Sequence, residues 1–227
     1  MPVLTADGKR ILFIHVPKTG GTTVETLMAS YGSVTGVSRW RLEGGSNSPQ
    51  HLHAAPLRQL HGKGEQFDEH DFDYVFATVR DPITRIQSEY AFLRHRLGGR
   101  PELQRFGIHP KPAKADEKPK SMPADVFVAR VLKAYRKDPY LLDNHIRPQH
   151  EFLCFKPEIF RIEDGLDAVR KRLNHITGLS GTFGADGNVG VSERAPDWYL
   201  TSRVHPLVES FYAGDYAAWG YVRPSEA

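Results

Sequence analysis

Residues 10–16, reading RILFIHV, are apolar at almost every position and stop at Pro17. Such a run predicts a strand buried on both faces of a parallel sheet. After PKTGG comes Thr22, with Glu25 three residues later, the spacing of a capping box. Val24, Leu27, Met28 and Tyr31 follow at i, i+3, i+4 and i+7, which predicts a helix with one apolar stripe. Residues 73–79, reading DYVFATV, repeat the strand signal. Arg80 follows, then Asp81 as an N-cap and Pro82 as a first helical residue. Ile83, Ile86, Tyr90, Leu93 and Leu97 then mark a long amphipathic helix. Two strand-turn-helix units in series predict an α/β fold with a parallel sheet.

Farther along, periodicity predicts a helix over 126–135, short strands over 152–155 and 159–162, and a helix striped by Leu166, Val169, Leu173 and Ile176. A Gly-rich loop over 182–195 precedes a last helix striped by Val204, Leu207, Val208 and Phe211 and ending near Gly214. Residues 98–123 stand apart, with prolines and with lysines at 111, 114, 118 and 120, and read as an insertion loop on the acceptor side. The reading is one domain, 1–227, carrying that insertion.

Composition narrows the function classes. The 227 residues are 40% hydrophobic and 25% charged, as in a globular protein. A net charge of +3 is too small to argue for a nucleic-acid partner or a membrane surface, so an anion site must come from local clustering. Cys154 is the only cysteine, which excludes an intramolecular disulfide or a CxxC centre. No stretch reaches the ~20 apolar residues of a membrane span, and residues 1–10 lack the pattern of a signal peptide. The expectation is a cytoplasmic protein without an integral membrane segment; its oligomeric state is not readable.

Two motifs suit an anionic ligand. In HVPKTGGTT, His15 to Thr23, a strand passes through a Gly-containing turn into a helix, presenting backbone N–H groups and the positive end of the helix dipole. Lys18 adds a mobile charge, and Thr22 and Thr23 add hydroxyls. This is not a Walker A loop, because Lys18 precedes both glycines instead of following the second. In VRDPITRIQSEY, Val79 to Tyr90, Arg80 leaves the carboxyl end of a strand and Ser88 lies two turns into the next helix. Arg85 and Glu89 read as a surface i, i+4 pair.

Together these motifs resemble the two phosphosulfate-binding elements of the sulfotransferase superfamily, in its carbohydrate-type, small bacterial-like form. DNHIRPQ, Asp143 to Gln149, and FYAGDYAAWGY, Phe211 to Tyr221, resemble further segments of that group. The resemblance implies a P-loop-like parallel β-sheet flanked by helices in three layers. It also implies transfer of a sulfuryl group from 3′-phosphoadenosine 5′-phosphosulfate (PAPS) to a hydroxyl, as on a saccharide, by in-line displacement, releasing adenosine 3′,5′-bisphosphate. Carried over, Lys18, Thr19, Gly20, Gly21, Thr22 and Thr23 hold the 5′ end, with Lys18 also catalytic, and Arg80 and Ser88 hold the 3′-phosphate.

Sulfuryl transfer needs a base for the acceptor proton, and histidine titrates in the right range. QHLHAAPL, Gln50 to Leu57, is similar to the His-x-His of glycosaminoglycan 2-O-sulfotransferases, implying His53 as base beside His51, with His145 next in line. His15 reads as a hydrogen-bonded core histidine and Cys154 as buried. His145 and Arg147 read equally as acceptor-side or structural, and residues 188–194 as a cover for the nucleotide. No ligand cluster for a metal is visible in the sequence. Two other readings stay open: a P-loop kinase-like phosphotransferase, and a non-catalytic nucleotide-binding module. The first would want an acidic residue where Arg80 stands.

Overall fold

The computed structural model describes residues 1–37, 48–54, 68–94, 108, 122–184, 200–201 and 203–226. Five strands, β1 (Val3–Ala6), β2 (Lys9–Ile14), β3 (Ser33–Thr35), β4 (Tyr74–Val79) and β5 (Glu158–Arg161), form one sheet in the order β3-β1-β2-β4-β5. Among the described residues the α-helices are α1 (Gly21–Ala29), α2 (Pro82–Arg94), α3 (Ala124–Tyr135), α4 (Asp167–Thr177), α5 (His205–Phe211) and α6 (Ala213–Trp219). The chain divides into two compact units. One is built of residues 1–80, 143–145 and 149–191, the other of 81–142, 146–148 and 192–227.

The first unit holds the whole sheet. β2, β4 and β5 run parallel, with Ile14 opposite Ala77 and Val79 opposite Arg161. β1 runs antiparallel to both β2 and β3, so the sheet is mixed, not wholly parallel as the sequence pattern predicts. The reason lies at Asp7-Gly8, where left-handed φ values of 46° and 70° turn the chain in two residues and pair Ala6 with Lys9. Asp-Gly is the pair that such a hairpin turn favours.

Alternation along β2 explains its unbroken apolar run. Ile11 and Phe13 face a core with Leu4, Val24, Leu27, Met28, Phe76, Val169 and Leu173, which brings α1 and α4 onto that side. Leu12 and Ile14 face a second core with Val3, Leu52, Phe72, Val75, Ala77, Phe152 and Cys154. Each of the larger aliphatic and aromatic side chains among them stabilises the fold by roughly 1.5–3 kcal/mol. Cys154 is buried, as expected. Phe152 and Cys154 do not lie on a strand, however. Residues 149–152 form a 3₁₀ turn, and left-handed Phe155 and Lys156 (φ 60° and 44°) break the extended run expected over 152–155.

In the second unit, α2 starts as expected, the Thr84 N–H donating to Asp81 Oδ1 at 2.8 Å. Arg85 and Glu89 are not a surface pair: both are buried, 2% and 1% exposed. Arg85 instead donates to the Arg147 carbonyl at 3.1 Å and lies over the Tyr212 ring. Arg147 donates to the Pro139 carbonyl and rests on the rings of Tyr135 and Tyr140, a packing role. The last predicted helix is two. α5 ends at Phe211, Tyr212 buries its ring and donates to the Ile146 carbonyl, and α6 runs on past Gly214 to a left-handed Gly220. The stretch expected as an insertion loop, 98–123, lies outside the described residues except Ile108, Met122 and Pro123. Residues 185–199, including 188–194, lie outside them too.

Candidate functional site

The turn from β2 to α1 is built from the inside. His15 is buried and stacked on Phe13, and its Nδ1–H donates to Glu25 Oε1 at 2.7 Å. Glu25 is therefore engaged by His15, and α1 starts at Gly21 with left-handed Gly20 (φ 86°) as N-cap and no side-chain cap, in place of the expected Thr22–Glu25 capping box. A buried ring N–H needs an acceptor, and the Gly-Gly turn reverses the chain more tightly than a side-chain cap could.

Gly21 is dictated by space, since a Cβ there would lie 1.9 Å from His15 Nε2; Gly20 is dictated by its left-handed backbone, φ 86°, a Cβ there meeting the flexible tip of Ile162 at 2.8 Å. Lys18 is also left-handed (φ 70°), a conformation that a non-glycine residue keeps only where its surroundings demand it. Thr19 is fully buried. Its hydroxyl donates to the Val16 carbonyl at 2.8 Å and meets the Thr78 hydroxyl at 2.9 Å, so this side chain anchors the loop to β2 and β4. Thr22 and Thr23 stand half-buried in the first turn of α1. That turn carries no acidic residue, and its Val24 N–H donates to the Gly20 carbonyl at 3.1 Å. The positive end of the helix dipole makes this turn fit an anionic group such as phosphate or sulfate.

Arg80 joins the loop from the end of β4. Its backbone is clamped by a side chain: the Arg80 N–H donates to Gln149 Oε1 at 3.0 Å, and Gln149 Nε2 donates to the Arg80 carbonyl at 2.7 Å. Its guanidinium donates to the Lys18 carbonyl at 3.4 Å. Lys18 and Arg80, 62 residues apart, are thus brought together. Ser88 lies half-buried on α2 in the second unit.

The histidine segment is held by Asp143 and Asn144. Asp143 Oδ1 accepts from the Ser48 N–H at 2.7 Å; Oδ2 accepts from the Ser48 hydroxyl at 2.6 Å and from His51 Nδ1 at 2.7 Å. Asn144 Nδ2 donates to the His51 carbonyl at 2.9 Å and faces His53 Nδ1 at 3.5 Å. His51 Nε2 meets the Gln50 amide nitrogen at 3.0 Å, and the His51 ring lies edge-on to both His15 and His145. Burial is the main cause that pushes His51 down to about 3, ahead of the opposing hydrogen bond to Asp143. Burial works to raise Asp143, but the hydrogen bonds from His51 and Ser48 outweigh it and hold the carboxylate below its ordinary range. The pair is therefore neutral imidazole beside carboxylate, with Nδ1–H on His51.

The ligand atoms of His51, Asp143 and His145 lie within 4.8 Å of one another, a grouping that the sequence reading did not foresee. His51 and Asp143 nevertheless touch at 2.7 Å, the length of a hydrogen bond. Two ligands on a tetrahedral ion with bonds of ~2.1 Å would stand about 3.4 Å apart. The geometry is that of a hydrogen-bonded dyad.

The glycine turn, Arg80 and the histidines are residues that the sequence reading singled out; Ser48 is not among them, and Asp143, Asn144 and Gln149 entered only as members of the DNHIRPQ segment, with no role of their own. The available signal was Asp-Asn in tandem, the residue types that best tolerate left-handed backbone. Among the described residues, no helix is long and apolar enough to cross a membrane. Searches of curated proteins and of solved structures returned no match. A family model described as "Sulfotransferase family" matches residues 1–202, which spans the glycine turn, Arg80 and the histidine segment, and the chain belongs to that family.

Proposed function

We propose that this chain transfers a sulfuryl group from PAPS to a hydroxyl on a carbohydrate, with His53 as the base. The observation that carries the reading is the Gly20-Gly21 turn opening α1, with Lys18 and Arg80 joined beside it. When bound, PAPS supplies the sulfuryl group: its bond to the phosphate oxygen breaks, a bond to the acceptor oxygen forms, and adenosine 3′,5′-bisphosphate leaves. The first-turn N–H groups of α1 and the threonines at 22 and 23 bind the 5′ end. Lys18 offsets the charge that grows on the departing phosphate oxygen, an interaction stronger in the transition state than before it. His53 takes the hydroxyl proton. Arg80 binds the 3′-phosphate; for Ser88 the same role rests on the motif resemblance alone. A kinase-like reading gains nothing here, because a guanidinium stands at the end of β4 where a magnesium site needs a carboxylate.

The test is a thermal-shift comparison of adenosine 3′,5′-bisphosphate with ATP, followed by transfer of ³⁵S from labelled PAPS to a panel of saccharides, lipids and phenols. The bisphosphate should raise Tm well above the effect of ATP, and label should appear in a saccharide. Arg80→Ala should weaken the bisphosphate by roughly 1.5–3 kcal/mol. Equal shifts with the two nucleotides would count against the reading.

A further inference from the structure

We infer that Asp143 and Asn144 are positioning residues of the transfer site, which together fix where His53 stands and which nitrogen of His51 carries the proton. The inference rests on the sulfuryl-transfer reading for its chemistry and on the geometry alone for its structural half.

Leu142, Asp143 and Asn144 are three consecutive non-glycine residues with left-handed backbone, φ 55°, 57° and 66°. Such residues normally visit this region singly, and a run of them persists only where the surroundings over-determine it. The run has a visible return. It aims two adjacent side chains at one segment, Asp143 gripping Ser48 and His51 and Asn144 gripping the His51 carbonyl beside the His53 ring.

His51 is occupied on both sides: Nδ1–H is given to Asp143, and the Nε2 lone pair meets the Gln50 amide. It is thus a strut between Asp143 and the segment that carries His53, not a second base. Asn144 acts one residue farther on, because the carbonyl it holds belongs to the residue that leads into Leu52, and Leu52 is anchored in the core beneath the sheet. Between these anchors His53 has little freedom, and a base must keep its nitrogen within hydrogen-bond reach of the acceptor proton.

Two variants and two readouts test this. In Asp143→Asn, ring ¹⁵N spectra of His51 should change from a single Nδ1–H tautomer to a mixture. Turnover in the ³⁵S assay should fall on the order of 10²-fold, the effect of a misplaced reacting group, with donor KM and bisphosphate affinity unchanged. Asn144→Gly keeps this backbone but leaves the buried His51 carbonyl without its donor, so Tm should fall while turnover, measured well below the lowered Tm, falls much further. An unaltered His51 spectrum in Asp143→Asn, or wild-type turnover in either variant, would overturn the inference, as would a loss of turnover that only tracks a loss of Tm. If the wild-type chain transfers no label, the functional reading fails instead. The ring spectra then still decide whether Asp143 and Asn144 hold the histidines.

Discussion

The glycine turn and the histidine segment are held in place by different means. Residues 15–25 rely mainly on short-range features, a left-handed Gly20, a Gly21 without room for a Cβ and the His15–Glu25 bond, with Thr19 and Lys18 also tied to Thr78 and Arg80. The segment 48–53 has almost no regular structure of its own beyond a 3₁₀ turn at Pro49–His51, and is held by side chains more than 90 residues away. Under the proposed function the difference has a reason: amide N–H groups cannot titrate and suit a ligand of fixed charge, whereas side-chain grips can select the hydrogen-bond pattern of a proton carrier.

That contrast can be broken from either side. The largest effects are expected on turnover. His53→Ala should lower it roughly 10²–10⁴-fold with adenosine 3′,5′-bisphosphate binding retained. Lys18→Ala should lower it by about 10²–10³-fold at saturating donor, and Lys18→Arg should restore little, because a planar fork does not replace a compact ammonium in a tight turn. Saturated turnover alongside the donor dissociation constant separates the two. If Lys18→Ala weakens only donor binding, Lys18 belongs to the holding machinery and not to the chemistry.

A middle-sized effect is expected at Gly21. Its missing Cβ would overlap His15 Nε2, so Gly21→Ala must displace a buried ring that is tied to Glu25. Overpacking of this kind costs roughly 1–3 kcal/mol, to be read from urea midpoints, and the loss of bisphosphate affinity should accompany it. Full stability in Gly21→Ala would mean that the turn is looser than its geometry implies.

A last effect concerns pH, is absent near neutrality and grows only as the medium is acidified. Burial lowers His51 from its ordinary 6.5 to about 3 in the folded chain. Between those values the unfolded chain binds a proton that the native one refuses, so stability falls as pH drops through that window, by at most about 1.4 kcal/mol per unit. His51→Gln should flatten the stability profile over the same window. A profile as steep as wild type would assign the acid sensitivity to other groups.

How much was legible follows the same division. The β2 run, the α1 stripe, the glycine turn and the Asp81 cap are local patterns, and each was readable from a dozen residues or fewer. Most of what failed was non-local. The Thr22–Glu25 capping box matched in spacing but lost its acid to His15, which sits ten residues back. Arg85 and Glu89 had surface spacing, yet tertiary packing buries both. Residues 152–155 looked like a strand because Phe152 and Cys154 are apolar in alternation; they fill the core from a turn instead. The β1 hairpin was a missed local signal, since Asp7-Gly8 stands openly in the sequence.

The 95-residue separation of Ser48 and Asp143 also bears on the order in which the molecule assembles. Closing a loop costs about (3/2)RT ln n, so this contact is about 2 kcal/mol more expensive to form from the open chain than the ten-residue His15–Glu25 closure. A refolding or newly made chain therefore closes its glycine turn at less entropic cost than its histidine clamp. Under the proposed function, such a chain would have its turn for the donor before it has a positioned base.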